Sequence, residues 1–215
     1  MGSKLKPVLL TTVLLVAVFA GGSLWYKASQ QAKREKAIAE TKDLLERPES
    51  PFMGPSDAPV RVVEFLDPEC EACAAFYPVV KMVLKDYPNQ IKLIVRYLPL
   101  HGNSAYAASI LEVLRARGKF WEGLEMFFAK QPEWGDHQTP KPELLKTYAA
   151  ALGVSNEELE AALKDSMYMN HVKQDHSDAR ALGVRRTPTF FVNGKPLEDL
   201  SYKALKEMIG RELAE

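Results

Sequence analysis

Cys70 and Cys73 are the only cysteines in the chain, and they stand three positions apart in Phe65-Leu66-Asp67-Pro68-Glu69-Cys70-Glu71-Ala72-Cys73. Thiols at this spacing can open and close a disulfide. A helix beginning at the pair would aim unpaired N–H groups and a positive dipole end at the first sulfur, which stabilises a thiolate. Three other chemistries compete for a Cys-x-x-Cys pair. A structural zinc site wants about four ligands, and only His101, His137, His171 and His176 are available as further Cys or His ligands. Covalent haem attachment wants a histidine directly after the second cysteine, where Ala74 stands. A purely structural disulfide over so short a loop removes little entropy from the unfolded chain. The pattern points to a redox dithiol, with no cofactor and no metal expected.

The elements that must position the pair can be read on either side of it. Val60 to Leu66 is predicted as a strand with Glu64 as an ionisable interruption of its apolar run, and Cys73 to Asp86 as a helix with apolar spacing at Phe76, Val79, Val80, Val83 and Leu84. Ile91 to Leu98 is a second strand, so strand, helix and strand form a βαβ unit with parallel strands. A long helical stretch follows from Asn103 to about Leu182, broken at Gln131 to Gly135 and at Gly153, with Ser155 and Glu158 as a capping box. Phe127 with Phe128, and Trp121, are read as its core, with the lining of a peptide groove as the alternative for some of them. Thr189 to Leu197 is a hairpin around Asn193-Gly194, and Ser201 to Leu213 is a closing helix.

This order, with its dithiol after the first strand, resembles the thioredoxin fold carrying a helical insertion, and in particular the DsbA family of exported thiol–disulfide oxidoreductases. The resemblance covers about Met53 to Leu213. It rests on Ala58-Pro59-Val60 leading into Val63-Glu64-Phe65, on Cys70-Glu71-Ala72-Cys73, and on Gly183-Val184-Arg185-Arg186-Thr187-Pro188-Thr189-Phe190-Phe191-Val192-Asn193-Gly194. It implies that Pro188 is cis and faces the disulfide. Cys70 is then the exposed nucleophile and Cys73 the buried resolving thiol. Glu64 is a buried acid that exchanges a proton with Cys73, the alternative being a half-buried Glu paired with a lysine. Thr187 and Pro188 hold an extended substrate segment by its backbone. The dipeptide Glu71-Ala72 departs from the Pro-His or similar pair of strongly oxidising members. If Asp67, Glu69 and Glu71 are exposed, their charge costs the Cys70 thiolate about 1 kcal/mol in total, or roughly 20 mV, and makes the disulfide less oxidising.

The fold class expected is therefore α/β, a thioredoxin fold with an inserted helical subdomain at about 103–182, preceded by an N-terminal membrane helix or signal segment. Lys4 and Lys6 precede an uncharged run from Val8 to Trp25, closed by Trp25 and Tyr26, which suit a membrane interface. An uncleaved anchor through residues 8–25 is favoured over a signal peptide cut after Val18-Phe19-Ala20. Lys27, Lys33, Arg34 and Lys36 outnumber the two preceding lysines, which argues for the reverse orientation; the exported domain implied by the dithiol overrides it. The expected organisation is 1–26 anchor or signal, 27–52 helical spacer and linker, and 53–215 folded domain. Ile38 and Leu45, seven apart, are a weak sign of helix pairing in the spacer.

With 28 basic and 28 acidic residues, net charge is zero, and no general field recruits nucleic acid. His171 and Asp175, four apart on a predicted helix, are read as a solvated face rather than a metal pair, and His101 as a loop residue. The partners expected are exported proteins with cysteines and a membrane redox protein that recycles the dithiol, at the periplasmic or other extracytoplasmic face of the cytoplasmic membrane. Disulfide formation is the expected direction. Isomerisation or reduction is an alternative, and so is a dithiol module that carries Cu(I), since thiolates suit that ion.

Overall fold

The computed structural model describes residue 26 and residues 41–214. The anchor expected at 8–25 and most of the spacer lie outside the described residues. Among the described residues no helix is long and apolar enough to cross a membrane.

Two strands make the centre of the molecule. β2 (Val60–Leu66) and β3 (Ile91–Tyr97) are rich in β-branched and aromatic residues and buried almost throughout, as strands covered on both faces must be. They pair in parallel with Glu64 opposite Val95, and the connection between them is helix α1 (Glu71–Asp86). β4 (Thr189–Val192) pairs antiparallel with β2 on its other side, placing Phe190 opposite Glu64. β5 (Lys195–Pro196) extends the sheet through the Asn193-Gly194 turn, where both residues have positive φ, as the hairpin reading requires. The short β1 (Phe52–Met53) closes the far edge, giving the order β1-β3-β2-β4-β5. Gly54 follows β1 with φ +96°, and a Cβ there would stand 2.1 Å from the Ile91 carbonyl oxygen.

Helices cover the sheet in three groups. Phe76, Val80 and Val83 lie on one stripe of α1 and pack with Leu205 and Ile209 of α8 (Tyr202–Ala214) against Val60, Val62 and Phe190. The insertion comprises α2 (Ser104–Ala116), α3 (Phe120–Ala129), α4 (Gln131–Trp134), α5 (Leu144–Ala151), α6 (Asn156–Leu163) and α7 (Ser166–Ala181). Its core, with Phe127, Phe128 and Trp134, takes in Leu66 and Tyr97, the last residues of β2 and β3, so the insertion sits over the ends of the central strands. Ser155 accepts from the Glu158 N–H, making the expected cap of α6.

The third group corrects two expectations. Leu45 is 5% exposed and packs with Val63, Phe65, Ile94 and Phe191 on the sheet face that Ala179 of α7 also covers. The folded body consequently starts at Leu44 and not at 53, and Leu45 is a core residue rather than part of a pairing seam. The fastening is ionic as well as apolar. Arg96, wholly buried on β3, donates to Asp175 at 2.7 Å, to Asp178 at 2.6 Å and to the Leu44 carbonyl at 2.6 Å, while Arg47 grips Asp178 through two bonds of 2.8 Å. Asp175 is thus buried and does not stand on a solvated face. His171 beside it meets Glu112 of α2 at 3.0 Å.

Candidate active site

Cys70 is the N-cap of α1, with extended φ and ψ of −81° and 119°, so its sulfur lies where the first helical N–H groups are unpaired. Its side chain retains a small opening at 7% exposure, whereas Cys73, one turn along, is at 0%. Both are free thiols. Cys70 is therefore not openly exposed as expected, although it remains the more accessible of the two. The Cys70 thiol donates to the Thr187 carbonyl oxygen at 3.5 Å, and the Thr187–Pro188 peptide is cis, as the resemblance implied. Residues 117 positions apart thus meet at one sulfur.

The electrostatics separate the two thiols. A hydrogen bond from the Cys73 side chain is the largest influence on Cys70; burial opposes it, and the Thr187 side chain with the backbone N–H groups of Cys73 and Ala72 adds to it, bringing the Cys70 thiol down to about 5. Burial pushes Cys73 far up, and the nearby Cys70 and Glu64 push in the same direction. Glu64 is 2% exposed, and burial alone raises its carboxyl to about 8. It is a fully buried acid, not a half-buried partner of a lysine.

The acids around the motif are not the exposed charges the sequence suggested. Asp67 is wholly buried and accepts from the Glu69 N–H at 2.8 Å, the Leu100 N–H at 2.8 Å and the His101 N–H at 3.3 Å, and it bonds His101 Nδ1 at 2.7 Å. Glu69, also buried, accepts from the Asn103 N–H and side-chain amide at 2.7 and 2.9 Å and from Ser104 Oγ at 3.3 Å. Glu71 is exposed but bonded to His137 Nε2 at 2.7 Å. Two of the three acids are bolts between the motif loop and the start of α2, with their oxygens hydrogen-bonded by donors. His101 is accordingly more than a loop residue. Burial disfavours its charged form, but the Asp67 bond and charge outweigh that and hold its pKa above the ordinary value. Asp67, His101 and His137 were missed as site residues because their partners lie in other segments; the aspartate directly before Pro68 and the dithiol was the one local signal.

Beside Cys70 a groove of about 810 Å³ runs along Ala72, Arg185, Arg186, Thr187, Pro188 and Leu200. The arrangement can present an extended peptide to a reactive sulfur.

A family model described as thioredoxin matches residues 46–211. The chain belongs to the thioredoxin family. The oxidised BdbD of Bacillus subtilis superposes with a TM-score of 0.71 at 29% identity, covering 78% of this chain and 94% of that one. The disulfide bond formation protein D of Bacillus subtilis is 29% identical over 171 residues, 76% of this chain and 77% of that protein. A thioredoxin-like oxidoreductase of Silicibacter pomeroyi, at 24% identity and a TM-score of 0.69 over 80% of this chain and 98% of its own, shares the fold. The thioredoxin-family chain is also 34% identical over 198 residues to a Na(+)/H(+) antiporter NhaA of Herminiimonas arsenicoxydans, which includes 89% of this chain but only 31% of that longer protein. The antiporter name belongs to those longer proteins.

Proposed function

We propose that the chain is an extracytoplasmic thiol–disulfide oxidoreductase that forms disulfides in exported proteins through Cys70 and Cys73, tethered to the membrane by residues 8–25. The observation that carries this reading is Cys70 Sγ at a helix N-terminus, 3.5 Å from the carbonyl of a residue preceding a cis proline and beside a groove. In the oxidised chain a substrate thiolate attacks Cys70 Sγ, the Cys70–Cys73 bond breaks, and Cys73 leaves as a thiolate. Glu64, protonated at neutral pH with its pKa near 8, supplies the proton that the buried Cys73 demands. A second substrate thiolate then attacks the substrate sulfur of the mixed disulfide and expels Cys70 as a thiolate, which its hydrogen bonds stabilise. The substrate has gained a disulfide, and the two electrons rest on the dithiol until a membrane redox partner removes them. Thr187 and Pro188 align the substrate: the Thr187 backbone lies beside the Cys70 sulfur, and extended backbone bonds hold the peptide in the groove.

The relative named for disulfide bond formation supports this direction over reduction or isomerisation. Cys73→Ser in the full chain tests the exchange chemistry itself, in whichever direction it runs. In this variant the Cys70 thiolate still attacks a disulfide of an exported protein and expels one substrate sulfur as a thiolate; with no Cys73 thiolate to attack Cys70 Sγ in turn, the mixed disulfide is expected to accumulate, visible as bands that collapse on reduction. Absence of any adduct, together with copper retained by the wild-type dithiol, would replace the enzyme with a Cu(I) module.

A further inference from the structure

Glu71, His101 and His137 converge beside the dithiol, with one ligand atom from each lying within 4.8 Å of the others. They come from the first turn of α1, the loop after β3 and the loop between α4 and α5. Sequence separation hides the group, since Glu71 and His137 are 66 positions apart. We propose that these three side chains bind a divalent cation of zinc type at the rim of the dithiol, with Asp67 as the carboxylate that orients His101.

The chemistry of the donor set fits. Two imidazoles and one carboxylate are a recognised zinc combination that leaves a fourth position for water. His101 has its Nδ1 held at 2.7 Å by Asp67, which leaves Nε2 as the ring's other donor. Carboxylate–histidine–metal arrangements of this kind fix the ring and raise its basicity. Asp67 is itself locked by the N–H groups of Glu69 and Leu100, so the orienting oxygen does not drift. The two histidine rings lie 5.5 Å apart between centroids and 35° from parallel, so both can address one point. Zinc bonds of about 2.0–2.1 Å place tetrahedral ligand atoms roughly 3.3 Å apart. Glu71 and His137, already 2.7 Å apart, therefore have to move toward the His101 ring by at most about 1.5 Å, and their side chains, 63% and 56% exposed, are free to do so. The Glu71–His137 bond is the contact an ion would replace.

The site is separable from the redox reading, and the test keeps them apart by working in a full-length Cys70→Ser, Cys73→Ser background, where no thiolate can take metal. Chelator-stripped protein is titrated with Zn²⁺ against a competing chromophoric chelator. One ion per chain is expected. His137→Ala is expected to weaken binding by at least about tenfold, and Asp67→Asn by roughly tenfold as a lost orienting carboxylate, while His176→Ala leaves it unchanged. His137 is exposed, so its replacement does not endanger the fold. Failure to bind Zn²⁺, or binding that His137→Ala leaves intact, would overturn the proposal whatever the dithiol proves to do.

Discussion

Cys70 and Cys73 are chemically alike in the unfolded chain and are driven apart by one helical turn. The N-cap position offers Cys70 donors for its thiolate, and burial denies Cys73 any stable charge. Glu64 is divided from solvent in the same way, and it carries a test that does not depend on turnover. A carboxyl whose pKa rises from 4.5 to about 8 on folding favours the native state only while protonated. Its stabilising contribution is complete below the unfolded pKa and is lost as pH climbs through the folded one. Glu64→Gln keeps the shape and removes the titration. The variant is expected to gain roughly 3 kcal/mol over the wild type between pH 5 and pH 8 in denaturant titrations; a gap that is the same at both pH values would show that Glu64 does not titrate as described. The placement of the two cysteines at the start of a helix was legible from the local sequence, and the cis Thr187–Pro188 peptide from the family resemblance. Asp67, Asp175 and His101 were not, because each takes its meaning from partners that the chain brings in from 34 to 79 positions away.

At the scale of elements, the alternation of strand, helix and strand could be read because each element carries its own period of apolar residues. β2 and β3 are continuous buried runs and α1 has its stripe at Phe76, Val80 and Val83. The Asn193-Gly194 turn announced the β4–β5 hairpin because its positive φ values favour those residue types. The segment from Leu44 to Met53 read as a spacer and linker because it is short, charged and rich in proline. What binds it to the body is the buried Leu45 side chain, the pairing of β1 with β3, the Arg47–Asp178 ion pair and the bond from Arg96 to the Leu44 carbonyl, all with partners distant in sequence. Asp178 is central to that clasp, since Arg47 and Arg96 both converge on it. Removing one side of a buried ion pair leaves the other charge uncompensated. Asp178→Ala is expected to cost about 3 kcal/mol of stability by denaturant unfolding, against less than about 1 kcal/mol for Glu125→Ala, which loses only the exposed pair with Lys81. Equal effects of the two substitutions would mean that the clasp does not hold α7 and the N-terminal segment to the sheet.

For the whole molecule, the proposed disulfide donation requires the reduced dithiol to be the comfortable state, and the N-cap position of Cys70 with its hydrogen bonds supplies that by stabilising the thiolate. The acids near Cys70 were expected to work against this, but Asp67 and Glu69 are buried and satisfied by donors. A thiol at about 5 lies between the ~7 of thioredoxin and the ~3.5 of the strong oxidant DsbA, and stabilising the thiolate stabilises the reduced form. The measurement that bears most directly on this account is the reduction potential of the Cys70/Cys73 couple in the full-length, chelator-treated protein, read by thiol alkylation across a glutathione series. The expected value falls between the ~ −270 mV of thioredoxin and the ~ −120 mV of DsbA, oxidising enough to donate disulfides. A potential at or below about −270 mV, or no reversible couple at all, would contradict the account.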